Sequence, residues 1–169
     1  KAIADAAARI EAPFSRAGGE NSYSLHAELQ EVTHNLVGII RTGKEVEEAI
    51  EKIAAIRARS ANVAVAGSRQ FNPGFHLAFD LDNMLLVAES TAKSALLREE
   101  SRGGHTRDDF PGMSSKWRQV NHISSFDGKV VNVKAQPLPP IPKELFELFD
   151  IHELEKYMTP EEIVKGGSN

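Results

Sequence analysis

Between Ser24 and Arg41 the apolar residues recur at a helical interval. Leu25, Leu29, Val32, Leu36 and Ile39 follow one another at steps of four, three, four and three, with Glu28, Gln30, Glu31 and Asn35 between them. Such spacing puts one apolar stripe on one face of a helix. Thr42-Gly43 breaks the stripe, and a second helix is expected from about Lys44, where Glu45, Glu47 and Glu48 suit the positive end of a helix dipole. Val46, Ile50, Ile53 and Ile56 are its seam, and Arg57 and Arg59 fall near its far end. Asn72-Pro73 reads as an N-cap followed by proline at the first helical position. The third helix runs from there through Phe75, Leu81, Met84, Leu85, Ala88, Ala92, Ala95 and Leu96 to about Ser101, a length of about 28 residues or roughly 42 Å. Leu86, Val87 and Leu97 widen its apolar surface, which predicts burial by more than its own bundle.

The flanks have a different texture. Ala2 to Glu11 predicts a helix stopped by Pro13, and Phe14 to Ser22, with Gly18-Gly19, a linker. After Pro111, Trp117 to Ser124 and Lys129 to Ala135 read as strands around the Asp127-Gly128 turn. Pro137, Pro139, Pro140 and Pro142 impose an extended strap. Short amphipathic pieces follow at Lys143 to Phe149 and His152 to Met158. Thr159-Pro160-Glu161-Glu162 opens a last helical turn, and Gly166 to Asn169 reads as a frayed tail.

The prediction is a mainly α fold: an antiparallel three-helix bundle, spectrin-repeat-like, with a C-terminal β-hairpin and a proline-rich strap. Residues 1–21 form an N-terminal helical segment and linker, 22–111 the bundle, 112–142 the hairpin and strap, and 143–169 short helices and a tail.

Composition removes several functions. A net charge of −4 argues against nucleic acid as a partner. The absence of cysteine removes disulfides, iron–sulfur ligation and thiol catalysis together. No apolar run reaches the length of a membrane span, and Lys1 to Ala8 does not read as a signal peptide. The chain begins at Lys rather than Met, which points to a processed or excised piece. None of His26, His34, His76, His105, His122 and His152 lies in an H-E-x-x-H arrangement, and His76 with Asp80 reads as an ordinary solvated pair. No G-x-G-x-x-G opens a βαβ unit and no G-x-S-x-G elbow is present, so a Rossmann-type dinucleotide site and a hydrolase nucleophile are both excluded.

One segment carries far more chemistry than a helix end needs: Arg98-Glu99-Glu100-Ser101-Arg102-Gly103-Gly104-His105-Thr106-Arg107-Asp108-Asp109-Phe110-Pro111. Its cations are all arginine, whose planar fork favours bidentate pairing with carboxylates or capping of backbone carbonyls. Gly103-Gly104 supplies positive φ or a close backbone approach. Three readings stand: a solvated helix terminus, a polar anchor that fixes a chain reversal against another surface, or an active site pairing His105 with Asp108 or Asp109.

The segment resembles the R-x-E-S-R-G-A-H-x-R-x-D-x-P stretch in the C-terminal helical domain of succinate dehydrogenase and fumarate reductase flavoprotein subunits, and of their relative L-aspartate oxidase. Ser24 to Arg41 is similar to that family's first bundle helix, Trp117 to His122 to its W-x-x-x-H-T segment, and Phe126 to Pro137 to the hairpin and strap that follow. The likeness covers roughly Ser22 to Pro142. Gly104 stands where the family usually has Ala, which suggests a looser turn, and Asn121-His122-Ile123 stands where many members read Lys-His-Thr. L-Aspartate oxidases usually end soon after the charged motif, so the Trp, hairpin and strap favour the dehydrogenase/reductase side.

The resemblance implies a C-terminal structural and assembly domain of a parent enzyme that interconverts succinate and fumarate with FAD. Flavin and catalytic residues would lie outside this chain, which holds none of them. Expected partners are the flavin-binding and capping domains of the same polypeptide and the iron–sulfur subunit of the complex, and, for the isolated domain, a second copy in a homodimer. The expected location is cytoplasmic, peripheral on the inner face of the cell membrane. Arg98, Glu99, Ser101, Arg102, His105, Arg107 and Asp109 would form the polar docking network, with Trp117 and Phe110 as apolar anchors beside it. The rival readings are a freestanding helical interaction module, the equivalent domain of an L-aspartate oxidase, and a small independent enzyme.

Overall fold

Each of the three long inner helices starts at a side chain that accepts from its free N–H groups. In the computed structural model, which describes residues 1–167, helix α1 spans Ala2–Ser15 and α2 Ser22–Leu36, the latter opening where the Asn21 side chain accepts from the N–H groups of Tyr23 and Ser24. Strand β1 (Ile40–Arg41) leads to α3 (Gly43–Ser60), and α4 covers Pro73–Leu97. Thr42, expected as a breaker, starts α3: its hydroxyl accepts from Glu45 N at 3.3 Å while the Glu45 carboxylate accepts from Thr42 N at 2.6 Å. Two orphan donors are satisfied by that exchange. Asn72 caps α4 through Phe75 N at 3.1 Å, with Pro73 at the first position as expected.

Strand β2 (Thr106–Arg107) pairs in parallel with β1, Ile40 opposite Thr106 and Arg41 opposite Arg107. A single helical turn, α5 (Ser115–Arg118), precedes β3 (Val120–Phe126) and β4 (Val131–Pro137), which form a second two-stranded sheet. Three short helices close the described chain: α6 (Lys143–Phe146), α7 (Ile151–Glu155) and α8 (Pro160–Gly167). The fold is mainly helical, and among the described residues no helix is long and apolar enough to cross a membrane.

Helices α2, α3 and α4 each pack on the other two. Leu25, Leu29 and Val32 from α2, Val46, Ala49, Ile53 and Ile56 from α3, and Leu81, Leu85 and Ala92 from α4 form one buried cluster, with Leu36, Ile50 and Met84 packed partly buried against it. The core also holds Glu89, only 8% exposed, which is paired with Arg57 and, at 2.6 Å, with Lys93. Lys93 donates as well to the carbonyl of Val131 at 2.8 Å, and Ser90 shares a 2.7 Å hydrogen bond with Ser124, so the tip of the β3–β4 hairpin is fastened to α4.

The chain divides into two compact units, one of Lys1–Met113 with the hairpin tip Ser124–Val133, the other of Ser114–Ile123 with the chain from Lys134 onward. In the second unit Trp117 and Phe146 are buried. Glu162 is shared there by Arg118, by Gln119 at 2.8 Å and by the Thr159 N–H at 2.7 Å. These bonds, the Thr159 N–H first, hold its carboxyl down at about 2.

Several boundaries depart from the periodicity. Pro13 does not stop α1 but sits in its last turn. Tertiary contacts hold that turn, because Val65 N donates to the Pro13 carbonyl at 2.9 Å and Phe14 stacks on Phe75 at 5.0 Å. Ile39 does not extend the seam of α2: the helix ends at Leu36, and Ile39 is 69% exposed. Helix α4 stops at Leu97 rather than near Ser101. Trp117 lies on α5 and not in a strand. Gly166 and Gly167, expected in a tail, belong to α8, while Ser168 and Asn169 lie outside the described residues. The expected wide apolar face of α4 is half met: Leu86 and Leu97 are partly buried, but Val87 stays 66% exposed beside a groove of about 500 Å³ between α2 and α4.

Candidate functional site

The early end of α4 organises the charged segment. Once the helix stops at Leu97 the chain is extended, Arg98 having φ −87° and ψ 96°. Alternate residues of an extended chain share a side, and Arg98, Glu100 and Arg102 therefore meet. The Glu100 side chain is fully buried and accepts from Arg98 Nε at 2.8 Å, Arg98 Nη2 at 2.6 Å and Arg102 Nε at 3.1 Å. Glu99, the acid expected in this network, is exposed and makes none of these bonds. A helix drawn on to Ser101 hides the two-residue spacing that singles out Glu100.

Past Glu100 the chain reverses. Arg102 N donates to the His105 carbonyl at 2.8 Å and His105 N to the Arg102 carbonyl at 3.2 Å, around Gly103 at φ +62°. That left-handed conformation strains any residue with a Cβ. Ser101 anchors the return: its hydroxyl accepts from Arg107 N at 2.9 Å and lies 3.0 Å from the carbonyls of Arg107 and Phe110.

Arg107 is the centre, 2% exposed. Its Nη1 donates to the carbonyls of Ala95 and Leu96, both at 2.9 Å, and reaches that of Arg98 at 3.5 Å. These are the unpaired carbonyls at the negative end of α4, where a cation is favoured. Nε and Nη2 grip both oxygens of Asp109 at 2.8 and 2.7 Å, a bidentate pair. Asp109 Oδ2 also accepts from Gly43 N at 2.9 Å, the first residue of α3. One arginine and one aspartate thus clasp the negative end of α4 to the positive end of α3. Gly43 lets the clasp close, since a Cβ there would lie 2.8 Å from Arg107 Nη2 and 3.0 Å from Asp109 Oδ2. The Arg107 guanidinium also lies over the Phe110 ring, 5.0 Å from its centroid.

The pKa directions follow. Arg107, with the Gly43 N–H adding to it, holds the Asp109 carboxyl far below the carboxylate range, and Asp109 raises Arg107 in return. Burial pushes His105 down; the cations Arg41, Arg98 and Arg107 add to this, against a hydrogen bond from Nε2 to the Arg98 carbonyl at 3.0 Å. Trp117 falls in the other compact unit, where it makes an edge contact with His122 at 5.5 Å and carries the Lys116 ammonium 4.4 Å over its ring.

A family model described as the fumarate reductase flavoprotein C-terminal domain matches residues 26–144. The chain belongs to that family. It is the C-terminal domain of the succinate dehydrogenase/fumarate reductase flavoprotein type, and the charged segment lies inside the matched stretch. It is 40% identical over 114 residues to an uncharacterised FAD-dependent oxidoreductase of Methanocaldococcus jannaschii, which covers 68% of this chain and 20% of that protein. The fumarate reductase flavoprotein subunit of Mycobacterium tuberculosis is 38% identical over 108 residues, 62% of this chain and 18% of the relative. Among solved structures, the Mycobacterium smegmatis Sdh1 complex in the apo form aligns with a TM-score of 0.84 at 46% identity, over 97% of this chain and 29% of that one. The chain therefore spans about a fifth of the length of the curated relatives it matches.

Family membership implies FAD, but the residues here do not fit it. A dinucleotide cradle needs a glycine-rich turn between a parallel strand and a helix N-terminus. The parallel pairing found among named strands joins two residues, Ile40–Arg41, to two, Thr106–Arg107. Nor do the described residues gather three or more His, Cys, Asp or Glu that could hold a metal. The motif side chains are spent on one another: His105 on a carbonyl, Asp109 on Arg107 and Gly43, Ser101 on the backbone. What the arrangement can do is hold a chain reversal rigid and present its outer rim.

Proposed function

We propose that this chain is the assembly domain of an FAD-dependent succinate/fumarate oxidoreductase, with flavin and catalytic residues on the remaining part of the parent polypeptide. The observation that carries the reading is the family match combined with the fraction of the relatives that the chain spans. Under this reading α2–α4 are an antiparallel, spectrin-like bundle. The α3–α4 part of it is supported by Arg57 pairing with Glu89 while Ser60, three residues later, bonds Asp82, seven residues earlier. The charged segment is the docking anchor: Arg107 and Asp109 are its fixed base, and Glu99, Asp108, Phe110 and Met113 form the exposed rim that meets the flavin-binding and capping domains. The groove floored by Leu29, Met84, Val87 and Ala88 is a second part of that footprint, through which isolated copies can dimerise. An iron–sulfur subunit completes the assembly on the inner face of the cell membrane, consistent with the Mycobacterium smegmatis relative being an Sdh1 complex.

The test is binding of this chain to the separately expressed flavin-binding portion, comparing wild type with Arg102→Ala. Arg102 keeps a third of its side chain exposed while paired to Glu100. Binding by the wild type and weaker binding by the variant are expected. Equal affinities, or no binding by the wild type, would remove the assembly role. A yellow flavin band co-purifying with the folded chain would contradict the placement of FAD elsewhere.

A further inference from the structure

The loop that joins α3 to α4, residues 61–72, carries a side chain that the fold does not use. Phe71 has φ +52° and is the one non-glycine residue in the left-handed region among the described residues. Its side chain is 98% exposed. A solvent-facing turn in that conformation is served by Gly or Asn, because a bulky side chain is strained there. Packing within this chain gives no reason for a phenylalanine at the position.

Neighbouring groups hold the strain in place. The Asn72 amide donates to the carbonyls of Ala66 at 3.1 Å and Ser68 at 2.8 Å, while its side-chain oxygen accepts from Phe75 N at 3.1 Å. Gln70 N donates to the Ser68 hydroxyl at 3.1 Å. Phe71 is therefore a fixed projection, and a projection fixed in advance avoids much of the ordering cost of binding. Rigid aromatic side chains of this kind are the usual anchors of protein interfaces.

The surroundings define what receives it. Arg69, the one charged side chain between Ala66 and Gly74, is spent on Glu11 at 3.0 Å and on the Phe14 ring, 5.5 Å from its centroid. Tyr23, 53% exposed, lies against the first turn of α4, 3.5 Å from where a Cβ on Gly74 would stand. An aromatic projection with its only nearby charge already paired fits an uncharged apolar pocket in a protein. A lipid surface asks for a broad apolar face or a basic one, and Ser68, Gln70 and Asn72 around Phe71 supply neither.

The chain aligns over 97% of its length with only 29% of the Sdh1 chain. On the assembly reading, the rest of such a polypeptide is tethered to this domain at an effective concentration on the order of millimolar, ahead of any untethered partner. We propose that Phe71 is an anchor residue whose ring enters an uncharged apolar pocket on the flavin-binding portion of the parent polypeptide. The inference rests on the assembly reading and adds a second point of attachment. Phe71 precedes α4 and the charged segment follows it, with 25 residues of helix between them.

A fluorine on the ring reports its burial directly. Phe71 is replaced by para-fluorophenylalanine in this chain and in the full-length, FAD-loaded flavoprotein, and fluorine relaxation by a soluble gadolinium chelate is measured in each. Strong relaxation in the chain and little in the flavoprotein are expected. Equal relaxation in the two overturns the proposal. So does shielding that appears only with other subunits, only with lipid vesicles, or in the chain alone as its concentration rises, because each gives the ring a different occupant. Phe71→Gly separates anchoring from architecture, since it removes ring and strain together. The Tm of the chain should stay at or above that of wild type, while affinity for the separately expressed flavin-binding portion falls roughly 30-fold or more. Unchanged affinity overturns the proposal, as does a lower Tm of the chain, which makes Phe71 an ordinary structural residue. Failure of the assembly reading looks different: the wild-type chain then does not bind the flavin-binding portion, and both readings fall.

Discussion

Helix α3 has an arginine cluster at each end, built from the same groups and put to opposite uses. In its last turn Arg59 reaches Glu20 at 2.8 Å and Glu28 at 2.7 Å, with 42% of its side chain exposed. At its first residue Arg107, 2% exposed, grips Asp109, which holds Gly43 N. Both arginines have their pKa raised by the acids they hold. Solvent can replace the partners of Arg59, whereas Arg107 is itself shut off from water and holds the carbonyls of Ala95 and Leu96 at the end of α4. Ion-pair geometry alone therefore says little about importance; what matters is whether a side chain stands between water and groups that have no other partner.

The contrast can be broken most directly at the buried end. Arg107→Ala strands the carbonyls of Ala95 and Leu96 and removes the partner of Asp109, and should destabilise the chain by about 2–4 kcal/mol in urea unfolding. A loss below about 1 kcal/mol would put Arg107 on a par with surface pairs and end the distinction.

Gly43→Ala sharpens the point, because helix propensity and the clasp predict opposite signs. In an open helix alanine would stabilise by up to about 1 kcal/mol. Here its Cβ intrudes on Arg107 and Asp109, and a loss of about 1–3 kcal/mol is expected. Stabilisation would mean that the clasp yields freely.

Acidification should touch the clasp end before the rest. His105 has its folded pKa below the ordinary 6.5. The unfolded chain therefore takes up the proton first, so the stabilising contribution is complete above 6.5 and is lost as pH falls through the folded value. Glu162 behaves as a depressed carboxyl: its contribution is present above 4.5 and disappears as pH falls towards about 2. Stability measured from pH 8 to 5 should fall for wild type and stay flatter for His105→Gln. Identical slopes would assign the titration elsewhere. The smallest effect is expected at Arg59→Ala, a slight loss in low salt that vanishes at high ionic strength. A salt-insensitive loss as large as that of Arg107→Ala would make the two ends equivalent.

Legibility in the sequence follows the same division. Leu25, Leu29, Ile53, Leu81 and Leu85 occupy the core because a single periodicity marks them, and Asn72-Pro73 opens α4 because cap chemistry is local. The charged segment stands out by composition, and Arg107 and Asp109 are part of what makes it do so. Its wiring was not legible. A helix running to Ser101 favours Glu99 over Glu100, but the helix ends at Leu97 because a residue ten positions later caps it. Gly43 looked like a breaker, since nothing near it announces a contact with Asp109, 66 residues away. Pro13 and Trp117 depart from local expectation for a similar reason: distant partners hold the first in a helix, and the second takes a helical turn beside a run rich in Val and Ile that by itself favours a strand.

The β3–β4 hairpin has a consequence for modularity. Its tip is counted with the helical unit and its two legs with the other, so the second unit is written in two separate stretches of chain. Neither unit corresponds to an uninterrupted sequence. A deletion after Met113 removes Val131 and leaves Lys93 without that acceptor, while a fragment starting at Ser114 carries a hairpin whose tip has lost Ser90. Recombination at the apparent boundary would damage both parts, so the two units can be exchanged between relatives only together.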